Sequence, residues 1–149
     1  MFPDSLSGFA DRLNQVLPML VREFSRLQPQ EVYRGKITLP QILILDFLNS
    51  KDKIKMKDIA SFMKISTPAA TGIVDRLVKS GYALRDYDKK DRRIIKILIT
   101  PKGVSLLKRI KEERRNLTIK IFKRVSESDR ENYLKILTRI RDILCSGDI

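Results

Sequence analysis

Ser66-Thr67-Pro68-Ala69-Ala70-Thr71-Gly72-Ile73-Val74-Asp75-Arg76-Leu77-Val78-Lys79-Ser80-Gly81-Tyr82 reads as one helix and its stop signal. Ala70, Ile73, Val74 and Leu77 fall at three- and four-residue intervals, which predicts a single buried stripe on a helix from about Thr67 to Lys79. Gly81 stands where a helix commonly ends in a left-handed turn. The opposite face carries Thr67, Ala69, Thr71, Gly72, Asp75, Arg76 and Lys79. Its leading end, Ser66, Thr67, Pro68, Ala69, Thr71 and Gly72, is small and hydroxylic. Small residues let a helix approach a surface closely, hydroxyls can bond to bases or phosphates, and Arg76 can contact phosphate or guanine. Taken alone, this face is equally the solvated side of a core helix.

The flanking residues separate the two readings. Upstream, a short helix from about Lys55 to Met63, with Met56, Ile59, Ala60 and Phe62 apolar, runs into the brief turn Lys64-Ile65-Ser66. Downstream, Tyr82 to Arg85 reads as a strand and the isoleucine-rich Ile94 to Ile99 as a second. Asp86 to Arg93 lies between them, polar apart from Tyr87, so the pair forms a hairpin. Two helices joined by a tight turn and followed by a basic hairpin make a winged helix-turn-helix. The hairpin tip offers Lys89, Lys90, Arg92 and Arg93, with Asp91 among them. A carboxylate two residues before an arginine can fix the guanidinium's direction, ready for the negative potential of a narrow minor groove. The plainer reading of these residues is a soluble hairpin tip.

Outside this region the chain is helical. Leu6, Phe9, Leu13, Val16, Leu17, Leu20, Phe24 and Leu27 make an apolar stripe, interrupted by Pro18, which should kink or split the helix. Gln28-Pro29 ends it, and a loop runs through Gly35. Thr38, with Gln41 three residues on, forms a capping box for a helix that is apolar nearly all round and belongs in a core. Thr100-Pro101 opens a helix to about Arg124, and Ser126 caps a last one lined by Tyr133, Leu134, Leu137, Ile140 and Leu144. The expected architecture is mainly α with a small β-hairpin wing. It is one domain over 1–149, with a DNA-binding region at 38–100 and dimerisation helices at 1–30 and 101–149.

Charge agrees with a nucleic-acid partner. The chain of 149 residues carries a net charge of +13. Residues 1–50 are neutral, whereas 51–96 hold +7 and 102–149 hold +6. Such an excess attracts polyanions, although the basic tail keeps it from marking one motif. The chain has no histidine, which removes the commonest acid–base group at neutral pH, and it shows no phosphate-binding or paired-cysteine motif. No enzyme activity, metal or cofactor is expected. One cysteine, Cys145, fits a reducing, cytoplasmic setting, and no apolar run is long enough for a membrane span.

Residues 66–82, together with Asp91-Arg92-Arg93 and Leu98-Ile99-Thr100-Pro101-Lys102-Gly103, resemble the recognition helix and wing signature of the multiple antibiotic resistance regulator (MarR) family. Ile99 departs from the leucine usual there. The resemblance covers nearly the whole chain, and the wing motif is its most specific part. It implies a homodimer in which the first and last two helices interlock, binding double-stranded DNA at a pseudo-palindromic operator. It implies repression, commonly relieved by a small-molecule effector. Tyr33 and Arg34 could line an effector cleft, or equally belong to the loop. Relatives that sense oxidants carry a cysteine near the N-terminus. This chain does not, and Cys145 reads as a small apolar residue rather than a sensor. The alternatives are a non-specific nucleic-acid-binding protein and a winged helix that meets an acidic protein partner.

Overall fold

The computed structural model of the chain describes residues 5–147, apart from the side chain of Tyr33. The elements follow in the order α1 (Leu6–Arg26), α2 (Gln30–Tyr33), α3 (Leu39–Ser50), α4 (Met56–Met63), α5 (Thr67–Lys79), β1 (Ala83–Tyr87), β2 (Ile95–Ile99), α6 (Pro101–Phe122) and α7 (Glu127–Ser146). The chain divides into two compact units with the boundary after Lys111.

The core of the first unit is aliphatic. Ile42, Ile44, Leu45 and Leu48 of α3, Ile59 of α4, Ala70, Val74 and Leu77 of α5, and Leu106, Leu107 and Ile110 of α6 are all buried. The stripe predicted on residues 67–79 is therefore the inward face of α5, with Ile73 packed partly against the core. Thr38 caps α3, its backbone N–H donating to Gln41 Oε1 at 2.8 Å. Ser66 caps α5 by accepting the Ala69 N–H at 3.3 Å. Two ion pairs meet the middle of α6: Arg109 with Glu31 at 2.6 Å, and Lys111 with Asp46.

Several expectations need correction. The segment from Gln28 to Gly35 is not all loop, because α2 supplies one helical turn after Pro29. Four residues are too few to show periodicity, and Glu31 O then accepts the N–H groups of Lys36 and Ile37. Pro18 does not split α1, which runs unbroken from a Ser5 cap. No residue of α1 is buried, so water can take the carbonyl that the proline leaves unpaired. The first strand extends through Tyr87 because Asp86 pairs with Lys96 and Tyr87 with Ile95, pushing the loop to 88–94. The hairpin is also joined to the segment ahead of α4. Ile97 N–H donates to Ile54 O at 2.8 Å, and Lys55 bridges Lys96.

Lys64 closes the turn between α4 and α5 with φ of 53°. A Cβ in this left-handed region costs about 1 kcal/mol. Lys64→Gly should therefore raise the unfolding free energy by about that amount. Denaturant unfolding would show it as a higher midpoint at unchanged slope. No gain would mean that the lysine side chain offsets the backbone cost with contacts of its own.

The second unit holds the rest of α6 and α7. Phe122 and Tyr133 have ring centroids 5.5 Å apart. Arg130 Nη1 donates to the carbonyls of Phe122 at 3.2 Å and Val125 at 3.1 Å, closing the turn. Ser126 accepts the Asp129 N–H at 3.1 Å, the cap expected for α7. No residue of α7 is buried, and Tyr133, Leu134, Ile136, Leu137, Ile140, Ile143 and Leu144 are exposed. Cys145 is also exposed. Among the described residues, no helix is long and apolar enough to cross a membrane, and no cluster of His, Cys, Asp or Glu could hold a metal.

Candidate nucleic-acid interface

The candidate residues occupy two neighbouring features of the first unit: the outward face of α5 and the tip of the hairpin. On α5, Pro68, Gly72, Asp75, Arg76 and Lys79 fall at helical spacing along one exposed stripe. Thr67 and Ala69 are exposed beside them. The hydroxyls are less free than the sequence suggests. Ser66 Oγ is used by the helix cap, and Thr71 Oγ1 donates to the Thr67 carbonyl at 2.9 Å. A Cβ added at Gly72 would meet nothing within 4 Å. Glycine inside a helix costs roughly 0.5–1 kcal/mol relative to alanine, and no packing among the described residues requires it here. The face is left unusually low at its centre.

At the tip, Lys89, Lys90, Arg92 and Arg93 are exposed around a turn stitched by two aspartates. Asp88 Oδ1 accepts the N–H of Lys90 at 2.8 Å and of Asp91 at 3.1 Å. Asp91 Oδ1 accepts the backbone N–H of Arg93 at 3.0 Å and its Nε–H at 3.3 Å. Asp91 thus fixes both the backbone and the guanidinium of Arg93, whose side chain is 93% exposed. Sequence reasoning found Asp91 but missed Asp88. The signal was present: Asp readily accepts N–H groups a few residues ahead in a turn.

The two N–H donors, Asp91 first and then Lys90, hold the Asp88 carboxyl below its usual pKa, with a further contribution from the Lys96 charge. A carboxylate with a depressed folded-state pKa stabilises the turn above its ordinary pKa, and that contribution is lost as pH falls through the lowered value. Amide exchange at Lys90 and Asp91 should therefore lose protection on acidification below pH ~4. Asp88→Ala should remove the same protection at neutral pH. Protection unchanged in that variant would mean that the strands alone order the tip.

A second set of contacts fixes the hairpin to α5. Arg85 of β1 donates through Nη2 to Asp75 Oδ1. At the base, Thr100 N–H donates to Tyr82 O at 3.0 Å and Thr100 Oγ1 donates to Gly81 O at 2.6 Å. The same hydroxyl accepts the Gly103 N–H at 3.1 Å, capping α6. Lys102 Nζ reaches Ser80 O at 2.9 Å and lies 4.9 Å from the centroid of the Tyr82 ring. A Cβ on Gly103 would run into the Tyr82 carbonyl oxygen and lie 2.8 Å from Ile99 Cγ1. The Thr-x-x-Gly spacing read as part of a signature is thus a steric and hydrogen-bonding requirement where α5, the hairpin and α6 meet.

Arg34 borders a hollow of only about 60 Å³ with Gln30, Glu31 and Lys36. That is far below the roughly 300 Å³ at which ligand sites begin. The Tyr33 side chain invoked with it lies outside the described residues.

This arrangement has counterparts among known proteins. The model of the family described as MarR family matches residues 37–95, which span α3 to the start of β2. The HTH-type transcriptional regulator YfiV of Bacillus subtilis is 32% identical over 77 residues, covering 52% of this chain and 48% of that protein. The HTH-type transcriptional repressor MdtR of the same organism is 29% identical over 83 residues, 54% of each chain. The chain thus matches about half the length of these two relatives. The crystal structure of YusO from Bacillus subtilis aligns over 93% of this chain and 99% of that one, with a TM-score of 0.74 at 19% identity. It shares the fold.

Proposed function

We propose, from the match of residues 37–95 to the MarR family model, that the protein is a sequence-specific, double-stranded DNA-binding transcriptional regulator. It acts in the cytoplasm as a homodimer on a pseudo-palindromic operator. The observation that carries this reading is the pairing of a low, exposed helix face with a rigid basic tip. A helix about 10–12 Å across fits the B-DNA major groove, about 12 Å wide. Gly72 lowers the face of α5 that would enter. Arg93, held by Asp91, then reaches the adjacent minor groove, while Lys89, Lys90 and Arg92 meet phosphates.

The dimer follows from apolar surface. Leu6, Phe9, Leu13, Val16, Leu17, Leu20, Phe24 and Leu27 of the α1 segment are exposed along one stripe, and the apolar residues of α7 are exposed likewise. Stripes of this size on separate helices need covering, and a second copy provides the same surfaces in a closed arrangement. Two α5 helices about one DNA turn apart would read an inverted repeat. Repression is the reading favoured by the likeness to MdtR. Relief by a small effector is carried over from the family resemblance, and the hollow at Arg34 is too small to hold one.

The test is selection of random duplex DNA by the purified protein at moderate salt, followed by sequencing of the bound pool. An inverted repeat with half-sites about one helical turn apart is the expected result. A pool without a motif would instead favour a non-specific or protein-binding role. On the selected operator, Arg93→Ala should weaken binding about tenfold or more. Its melting temperature should stay unchanged, because the side chain is almost wholly solvated. Parental affinity in that variant would remove the wing tip from the interface.

A further inference from the structure

Asp75 is the only acidic residue within α5, and it lies on the stripe that contains Gly72, Arg76 and Lys79. A carboxylate on a face meant for a polyanion works against binding unless it has a task there. Its Oδ1 is held by Arg85 Nη2, reaching across from β1. Arg85 is largely covered, at 24% exposure, whereas the Asp75 side chain remains 57% exposed. The pair is therefore a half-sheltered arginine holding an open carboxylate, not two solvated ends meeting by chance. The arginine cancels the charge that would repel phosphates and fixes the side chain's direction. A carboxylate has about four lone-pair sites on two oxygens, so one N–H bond leaves acceptor capacity toward solvent.

Resting on the DNA-binding reading above, we propose that Asp75 is a specificity-determining residue that accepts a hydrogen bond from a cytosine amino group in the major groove, with Arg85 as its positioning residue. The chemistry selects the base. An ionised carboxylate only accepts, and of the two major-groove amino donors cytosine N4 has no acceptor beside it on its own base, whereas adenine N6 lies next to the acceptor N7. Guanine and thymine present acceptor oxygens at the corresponding edge and are repelled. Binding to arbitrary duplex gains nothing from this group, because it rests on phosphates. Asp75 thus penalises wrong sequences and non-specific docking while rewarding one base.

The test compares binding-site selection by the parent, Asp75→Asn, Asp75→Ala and Arg85→Gln. The parent pool should show one position per half-site where cytosine is preferred about five- to a hundredfold. Asp75→Asn should move that position toward adenine, because an amide donates and accepts and so pairs with adenine N6 and N7. Asp75→Ala should flatten the position and leave the others intact. It should also raise affinity for random duplex, with the log–log salt slope steeper by about 0.9 as Arg85 becomes free to meet a phosphate. Arg85→Gln should weaken the cytosine preference while keeping the same base. Thermal melts of each variant check that the fold is kept.

A pair that merely ties the hairpin to α5 would change affinity or melting temperature but not base frequencies. Unchanged base frequencies in folded Asp75→Asn and Asp75→Ala, alongside a clear parental motif, would overturn the assignment and leave the DNA-binding reading standing. If the parent itself selects no motif, that wider reading fails, and this inference fails with it.

Discussion

Gly103→Ala should destabilise the first unit by about 2–4 kcal/mol, one of the largest effects open to a single added methyl group in this chain. The new Cβ would occupy the space of the Tyr82 carbonyl oxygen and crowd Ile99. Neither obstacle is a flexible side-chain end. The carbonyl already accepts the Thr100 N–H at 3.0 Å, so moving it breaks that bond or carries Thr100 along. Thr100 in turn joins Gly81 O to the Gly103 N–H. The methyl group must therefore displace the base of the hairpin or the first turn of α6. Chemical denaturation should show a lower midpoint, and amide protection should fall first at Thr100 and Gly103. Near-parental stability would mean that the crossing relaxes by sliding α6, and that the glycine serves another purpose.

Gly72→Leu should do the reverse. The site is open, with no atom near the new Cβ, and leucine is a better helix former than glycine by roughly 0.5–1 kcal/mol. The folded chain should become slightly more stable. Operator affinity should fall at least about 100-fold, the loss of one or two base contacts at ~1–3 kcal/mol each. The side chain would stand in the middle of the face that enters the groove. Opposite signs for stability and binding separate this outcome from simple unfolding. A variant that is more stable and binds as well as the parent would show that α5 does not approach DNA through this face.

Much of this was legible in the sequence, for reasons that differ by residue. The α5 stripe follows from spacing, since a helix that buries Ala70, Val74 and Leu77 must turn Gly72 and Arg76 outward. Thr38 with Gln41 and Ser126 with Asp129 are local pairings three residues apart, so sequence separation alone reveals them. The Asp91–Arg93 contact is legible for the same reason. The unread features depend on distant partners. Nothing local says that Asp75 will meet Arg85, or that Lys55 will lie beside Lys96. The purpose of Gly103 was visible only as a signature, because its obstacle, Tyr82 O, belongs to the far side of the hairpin. Strand polarity misled the reading at Asp86 and Tyr87. Cross-strand pairing, not hydropathy, decides where an exposed hairpin ends.

The hydrogen bond from Ile97 to Ile54 has a kinetic meaning. It joins positions on either side of α4 and α5, so the intervening chain must be closed before the bond can form. Closure entropy is lost before such a contact returns any energy, which places it late on the folding route, after the local helices. The hairpin then cannot dock as an independent module. On that order of events its docking waits for the segment ahead of α4, and it is expected to loosen when that segment frays. The Ile97 amide should exchange with solvent through openings that also release the start of α4, so the element that would grip DNA and the helix pair that would position it share one cooperative opening unit.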